Sequence, residues 1–378
     1  MLDLIKFELY KIISKPIIKV TTIILILYLI LLPTTTYISN KIHYGSNNNL
    51  KKIALKYENP NYTEKDLSID LERIEYKEST DLTKEEYFLN NILRIDYPVQ
   101  SNIYYSISNE RYSYDEIVSK IKSLESAGDT NTYKYKDLKK AENMLSKLDT
   151  PSYKYMGSWN SICSNLLMGV TTLIMLILGL STIFSEDFEK DCAPVLLSTK
   201  LSRSKFPKAK IIAGLIYSLI VYIATVFLLL LNGIINGFEG GTLALNHLYK
   251  YSPYDMTVIE MYLISLVLLL LGVIIFSIVI MMLSLITKNS MITLALSVLI
   301  YSIPKLLILI NSSNEILRFI RYINVTNLLE SPNLFKFYDT INFFGEPILV
   351  PIILVPIAII IGIGCTLIIN WTSKKQHI

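Results

Sequence analysis

At 378 residues, with 52% apolar and 18% charged, the chain carries fewer charges than the ~25% of a soluble domain, and its mean hydropathy is +0.42. Charge and apolarity alternate in long stretches, which excludes a uniform soluble globule and indicates a membrane protein with soluble pieces. A net charge of +4, spread along the chain, excludes nucleic acid as a partner.

In chain order, residues 1–16 place Leu2, Ile5, Leu9 and Ile12 at helical spacing, with Lys6, Glu8, Lys11 and Lys15 mostly elsewhere, and Pro16 closes the pattern. This predicts an amphipathic helix in the headgroup plane, its lysines facing anionic lipid. Apolar runs of the length that crosses a bilayer, roughly 20 residues, follow at 17–38, 158–184, 211–231, 261–286, 291–310 and 347–371. The expected fold class is therefore an all-α membrane protein with six transmembrane helices. The first run lacks an A-x-A-like cleavage site downstream and reads as a retained signal anchor.

Residues 39–157 form a soluble domain, expected to be mainly helical, without an internal disulfide because Cys163, Cys192 and Cys365 all lie outside it. Thr83-Lys-Glu-Glu86 and Ser113-Tyr-Asp-Glu116 read as capping boxes. Gly128 is placed to end the second of these helices, and Leu138, Ala141, Leu145 and Leu148 give a further apolar stripe. The domain's many tyrosines suit either an adaptable binding face or ordinary packing. No strand alternation competes. The remaining connections are 185–210, 232–260 and 311–346, followed by a tail, 372–378. The apolar 311–346 loop predicts two short interfacial helices, the second opened by Ser331-Pro332.

Orientation follows from Lys and Arg in the short connections. Lys6, Lys11, Lys15, Lys19, Lys190, Lys200, Arg203, Lys205, Lys208, Lys210, Lys288, Lys374 and Lys375 fall on one side, thirteen in all. Lys250, Arg318, Arg321 and Lys336 fall on the other. The richer side is expected to be cytosolic, with both termini inside and 39–157 extracytoplasmic.

The 185–210 connection contains Glu186, Asp187 and Glu189, then Leu196-Leu197-Ser198-Thr199, Ser202-Arg203 and Lys210. This resembles permeases of the ATP-binding-cassette (ABC) exporters, in the six-span form whose ATPase is a separate chain. Asp191 or Cys192 stands where that pattern has glycine, and Lys200 where it has proline. The resemblance implies a cytosolic coupling loop in which Glu186, Asp187, Glu189, Leu196, Leu197, Ser202 and Arg203 engage the ATPase. It also implies a unit of two permease chains (a second copy or a paralogue) and two ATPase chains. The chain has no GxxxxGK[ST] stretch to cradle ATP phosphates. The expected reading is thus a transport subunit with no catalytic residues or metal ligands, ATP and Mg being bound by the partner.

Polar groups within spans are candidates for a substrate path. Asn165, Thr172 and Thr182 lie near one face of the second span, and Thr293, Ser297 and Tyr301 form a ridge on the fifth that continues to Lys305, a residue expected to snorkel outward. Helix packing explains the same hydroxyls equally well. Three functions stay open. They are export of an amphipathic compound (antimicrobial peptide, drug or lipid-like molecule), sensing or immunity through 39–157, and, ranked last, intramembrane catalysis, for which the spans lack the usual acid, His or Cys–His groupings.

Overall fold

The computed structural model describes residues 1–59, 61–77, 81–94, 105–107, 110–149, 152–163, 169–192, 202–309 and 315–375. Helix α1 (Leu2–Ile13) stops before Pro16, which opens α2 (Pro16–Tyr44) from its first turn, where a missing N–H is harmless. Helix α2 continues past Ile38. The hydroxyls of Thr34, Thr35 and Thr36 return to carbonyls one turn back (Ile30 and Leu32, 2.8–3.1 Å), so they do not compete with the helix, and Gly45 ends it at φ +85°.

The inserted domain follows, with α3 (Asn47–Lys56), α4 (Glu64–Ile74), α5 (Lys84–Phe88, running on as a π turn to Leu93), a hairpin of β1 (Tyr105–Ile107) and β2 (Glu110–Tyr112), then α6 (Tyr114–Ala127) and α7 (Tyr133–Leu145). The expected capping boxes form at Thr83/Glu86 and Ser113/Glu116, and Gly128 ends α6 at φ +79°. Helices α3, α4 and α5 share a core around Phe88, Leu93 and Ala54. Helices α6 and α7 instead join the main core through Ile117, Leu138 and Ala141.

The chain returns through α8 (Trp159–Ile162), α9 (Thr171–Leu180), α10 (Ser185–Glu189), α11 (Ser202–Asn236), α12 (Leu245–Leu248), α13 (Val258–Thr287), α14 (Ser290–Leu309), α15 (Glu315–Ile323), a 3-10 stretch (Val325–Phe335), β3 (Thr340–Phe343), β4 (Glu346–Leu349) and α16 (Val350–Lys375). Six helices are long and apolar enough to cross a membrane: Pro16–Tyr44, Thr171–Glu189, Lys205–Asn236, Val258–Thr287, Ser290–Leu307 and Val350–Lys375. The second and fourth of these are central, 72% and 61% buried over their most apolar windows, whereas the first and fifth are 17% buried and turn apolar side chains outward. Close approach fixes the packing. At Gly179 a Cβ would stand 2.2 Å from the Tyr217 ring, and at Gly272 it would meet Leu328 at 2.8 Å.

The mainly helical inserted domain also holds one short hairpin, the β1–β2 pair. A second short helix does start at Ser331-Pro332, but as a 3-10 turn that ends at Phe335, with the Ser331 hydroxyl donating to the Ser265 carbonyl (2.7 Å). The pair lies within the 3-10 stretch, after a break at Glu330, and the β-branched Thr340, Ile341 and Ile348 go into the β3–β4 hairpin.

Candidate functional site

The second span does not run straight into α10. Residues 181–184 form a turn held by Ser284 of α13, whose hydroxyl accepts from the Phe184 and Ser185 amides (3.1 and 3.0 Å) and donates to the Ser181 carbonyl (2.8 Å). That turn presents the short acidic helix α10 to α1 and to the start of α11.

Lys210 lies at the centre, fully buried. Its ammonium meets Asp187 at 2.6 Å and Glu8 at 3.6 Å, donates to the Ile183 carbonyl, and sits over the Phe206 ring at 4.8 Å. Lys11 reaches Asp187 (2.9 Å) and Glu186 (3.9 Å), while Lys15 reaches Glu186 (2.7 Å) and the Thr182 hydroxyl. Lys190 closes the network on Glu186 at 2.6 Å. Two carboxylates of α10 therefore serve four lysines: Lys11 of α1, Lys15 between α1 and α2, Lys190 just after α10 and Lys210 of α11. Burial works against the Lys11 cation, but the Asp187 carboxylate outweighs it and raises its pKa. Burial pushes the Glu8 carboxyl up, against the attraction of Lys210.

This corrects the reading of α1. Lys11 and Lys15 turn to protein carboxylates and not to lipid headgroups, Glu8 and Ile12 are buried, and Leu2, Phe7, Tyr10 and Ile13 form the exposed apolar side. Glu189 stands apart. Its carboxylate accepts from the Ser290 amide (2.6 Å) and hydroxyl (2.9 Å), which caps the start of α14. Beyond it the chain turns at Asp191, whose φ of +53° lies in the left-handed region, and Asp191 and Cys192 are exposed. Leu196 and Leu197 lie outside the described residues. Ser202 and Arg203 form the first turn of α11 and so belong to a helix continuous with the third span.

The candidate path residues do not converge on one place. Asn165 lies outside the described residues. Thr172 faces Thr225 of α11 at 3.4 Å, and Thr182 belongs to the lysine network. Thr293 and Ser297 are fully buried, and each donates to the carbonyl four residues back (2.8 and 2.7 Å). Tyr301 donates to Glu330 (2.5 Å), and Lys305 pairs with the same carboxylate. Lys305 therefore does not snorkel: Glu330, 9% exposed at the break in the 3-10 stretch, holds it.

Sequence reasoning missed Glu8, Lys11, Lys15 and Lys210 as one network. The available signal was Glu8 itself, three residues after Ile5 and four before Ile12, an acid on the apolar stripe of α1. Chemically, the site holds ion pairs and no nucleophile set beside a base, and its geometry suits a joint between helices. No family model, characterised protein or solved structure matches the chain.

Proposed function

We propose that this chain is the membrane-spanning permease of an ABC exporter, moving an amphipathic compound with energy from ATP hydrolysed on a separate subunit. The observation that carries the reading is the α1–α10–α11 joint. It ties the acid-rich start of the second connection to the lysine that opens the third span, and that connection bears the exporter-like residues. A helix clamped in this way moves as one body with two spans, which is what passing a push from a soluble partner into the bilayer requires. The left-handed Asp191 adds support, since the family pattern has glycine there or at the next residue. On this reading the joint faces the cytosol, the inserted domain lies outside, and two permease chains pair with two ATPases that hold ATP and Mg.

The test uses Cys192, which is exposed while Cys163 and Cys365 are buried. A thiol-reactive photocrosslinker on Cys192, in cells co-expressing a candidate ABC ATPase, should capture that ATPase. Replacing Leu196 and Leu197 with Ala should lower its stimulated hydrolysis several-fold. Absence of a crosslink, together with unstimulated hydrolysis in proteoliposomes, would sink the proposal.

A second reading, a sensor or immunity protein that binds an extracellular ligand through residues 39–157, has one observation in its favour. The inserted domain grips the hairpin that opens the sixth span: Tyr338 donates to Asp137 (2.9 Å), as does Thr340 (2.7 Å).

A further inference from the structure

A cavity of about 250 Å³ lies where the inserted domain meets the spans, at the end opposite the lysine network. Its polar lining includes Asn40, Asn160 and Ser161, together with Lys154, Lys250 and His247, and no carboxylate lines it. The Asn160 and Ser161 side chains make no hydrogen bond within the protein. His247 Nδ1 donates to the Ser152 carbonyl (2.9 Å), so Nε2 of the neutral ring is an acceptor and donates only in the imidazolium form. Two acids stand near the lining: Glu58, engaged by the Tyr155 amide (2.8 Å) and by Lys154 (3.5 Å), and Glu239, paired with Lys51 (3.1 Å). Lys154, Lys250 and the Asn160 and Ser161 side chains thus supply the walls with donors suited to an oxygen-rich anion.

Position narrows the ligand. Asn40 sits in the last turns of α2 and Asn236 ends α11, so the cavity lies at the level where apolar span gives way to polar chain. On the same two helix ends Ile38, Ile42 and Ile234 are exposed, an apolar flank on which acyl chains can lie. The volume is below the ~300–1,000 Å³ of pockets that enclose a whole drug-sized ligand, which suits a small headgroup whose tails remain in the bilayer.

We infer that this cavity is a binding site for the phosphate ester of an anionic glycerophospholipid, whose head would bridge the inserted domain and the first and third spans. The inference does not depend on the transport reading or on which way the chain faces.

Trp159 supplies a reporter, since it adjoins the lining residues Ser158 and Asn160 and donates from its indole to the Phe238 carbonyl (3.1 Å). Trp371→Phe leaves it as the sole tryptophan of the full-length chain. In detergent, dihexanoyl phosphatidylglycerol should shift its emission saturably, at a concentration at least tenfold below that needed with dihexanoyl phosphatidylcholine. Asn160→Asp, which places a carboxylate at an exposed position in the wall, should weaken the response at least tenfold, and Lys154→Gln several-fold. Equal half-saturation by the two lipids, or an unchanged response in Asn160→Asp, overturns the site. If glycerol phosphate alone half-saturates as readily as the lipid, the anion site stands but the lipid as its source is overturned.

Discussion

At the scale of single residues, the buried lysine decides most of the energetics at the α1 end. Lys210 has two acidic neighbours that are not equivalent. Asp187 is in contact at 2.6 Å, and Glu8 stands at 3.6 Å with its carboxyl pushed up by burial. Removing one partner of a buried pair leaves an uncompensated charge, at a cost of about 3–5 kcal/mol. Asp187→Asn should therefore destabilise the purified protein strongly, and Glu8→Gln less, because Lys210 keeps its closer contact with Asp187. Thermal unfolding in detergent separates the two, and equal losses would contradict this ranking. Asp191→Gly should stabilise the turn after α10 by up to about 1 kcal/mol, because glycine carries no Cβ penalty at a left-handed φ of +53°.

A pH dependence belongs to the inserted domain. Hydrogen bonds from Lys77 and from the Thr83 amide and hydroxyl hold the Glu86 carboxylate down to about 2, from an ordinary value of 4.5. A depressed folded-state pKa contributes stability that is complete above the unfolded value and is lost as pH falls from about 4.5 towards about 2. Protection of the α5 amides, taken relative to their intrinsic exchange rate at each pH, should fall over that interval in the native chain. Glu86→Gln should remove this pH dependence while exchange at neutral pH becomes faster.

At the scale of elements, legibility followed the range of the forces involved. The capping boxes at Thr83/Glu86 and Ser113/Glu116 and the glycine stop at Gly128 are local, three residues across or one turn long, and all three formed as their spacing indicated. Ser331-Pro332 carried an equally local signal and opened a short 3-10 helix, whereas its bond to the Ser265 carbonyl, 66 residues away, was not readable. Lys11 and Lys15 illustrate the same limit. Their positions on the wheel of α1 were readable, but their partners lie more than 165 residues along the chain and only tertiary contact reveals them. The thirteen-to-four imbalance in Lys and Arg between the short connections predicts a topology that the fold alone leaves open. In intact cells an impermeant maleimide should label Ser126→Cys, exposed on α6, and spare Cys192. Labelling of Cys192 with Ser126→Cys protected would reverse the orientation.

For the whole molecule, the exporter proposal would make coupling and integrity share residues at the α1 end. Glu186 and Asp187 bind four lysines of their own chain, so replacing both with Lys should release α1. On that proposal the double variant should lose co-purification with the proposed ATPase and also gain protease cleavage near residues 13–16. A variant that loses the ATPase while α1 stays protected would show the acids acting on the partner directly. If the ridge on α14 belongs to a path, replacing Thr293, Ser297 and Tyr301 with Val, Ala and Phe should reduce transport at normal membrane levels. The hydrogen bonds of Thr293 and Ser297 to their own helix already show how such hydroxyls are satisfied by packing, and unchanged transport would assign the ridge to packing alone.

The grip of Asp137 on Tyr338 and Thr340 also bears on how the chain is made. Asp137 is fully buried, yet the hydroxyls that satisfy it arrive 201 and 203 residues later in synthesis. Until then the α6–α7 hairpin lacks those two bonds, while four more spans are made. Closing a loop of that length is slow and entropically costly. Chains interrupted before the β3–β4 hairpin should therefore be recognised by quality-control proteases, and the last span to be inserted would be the one that completes the first domain to emerge.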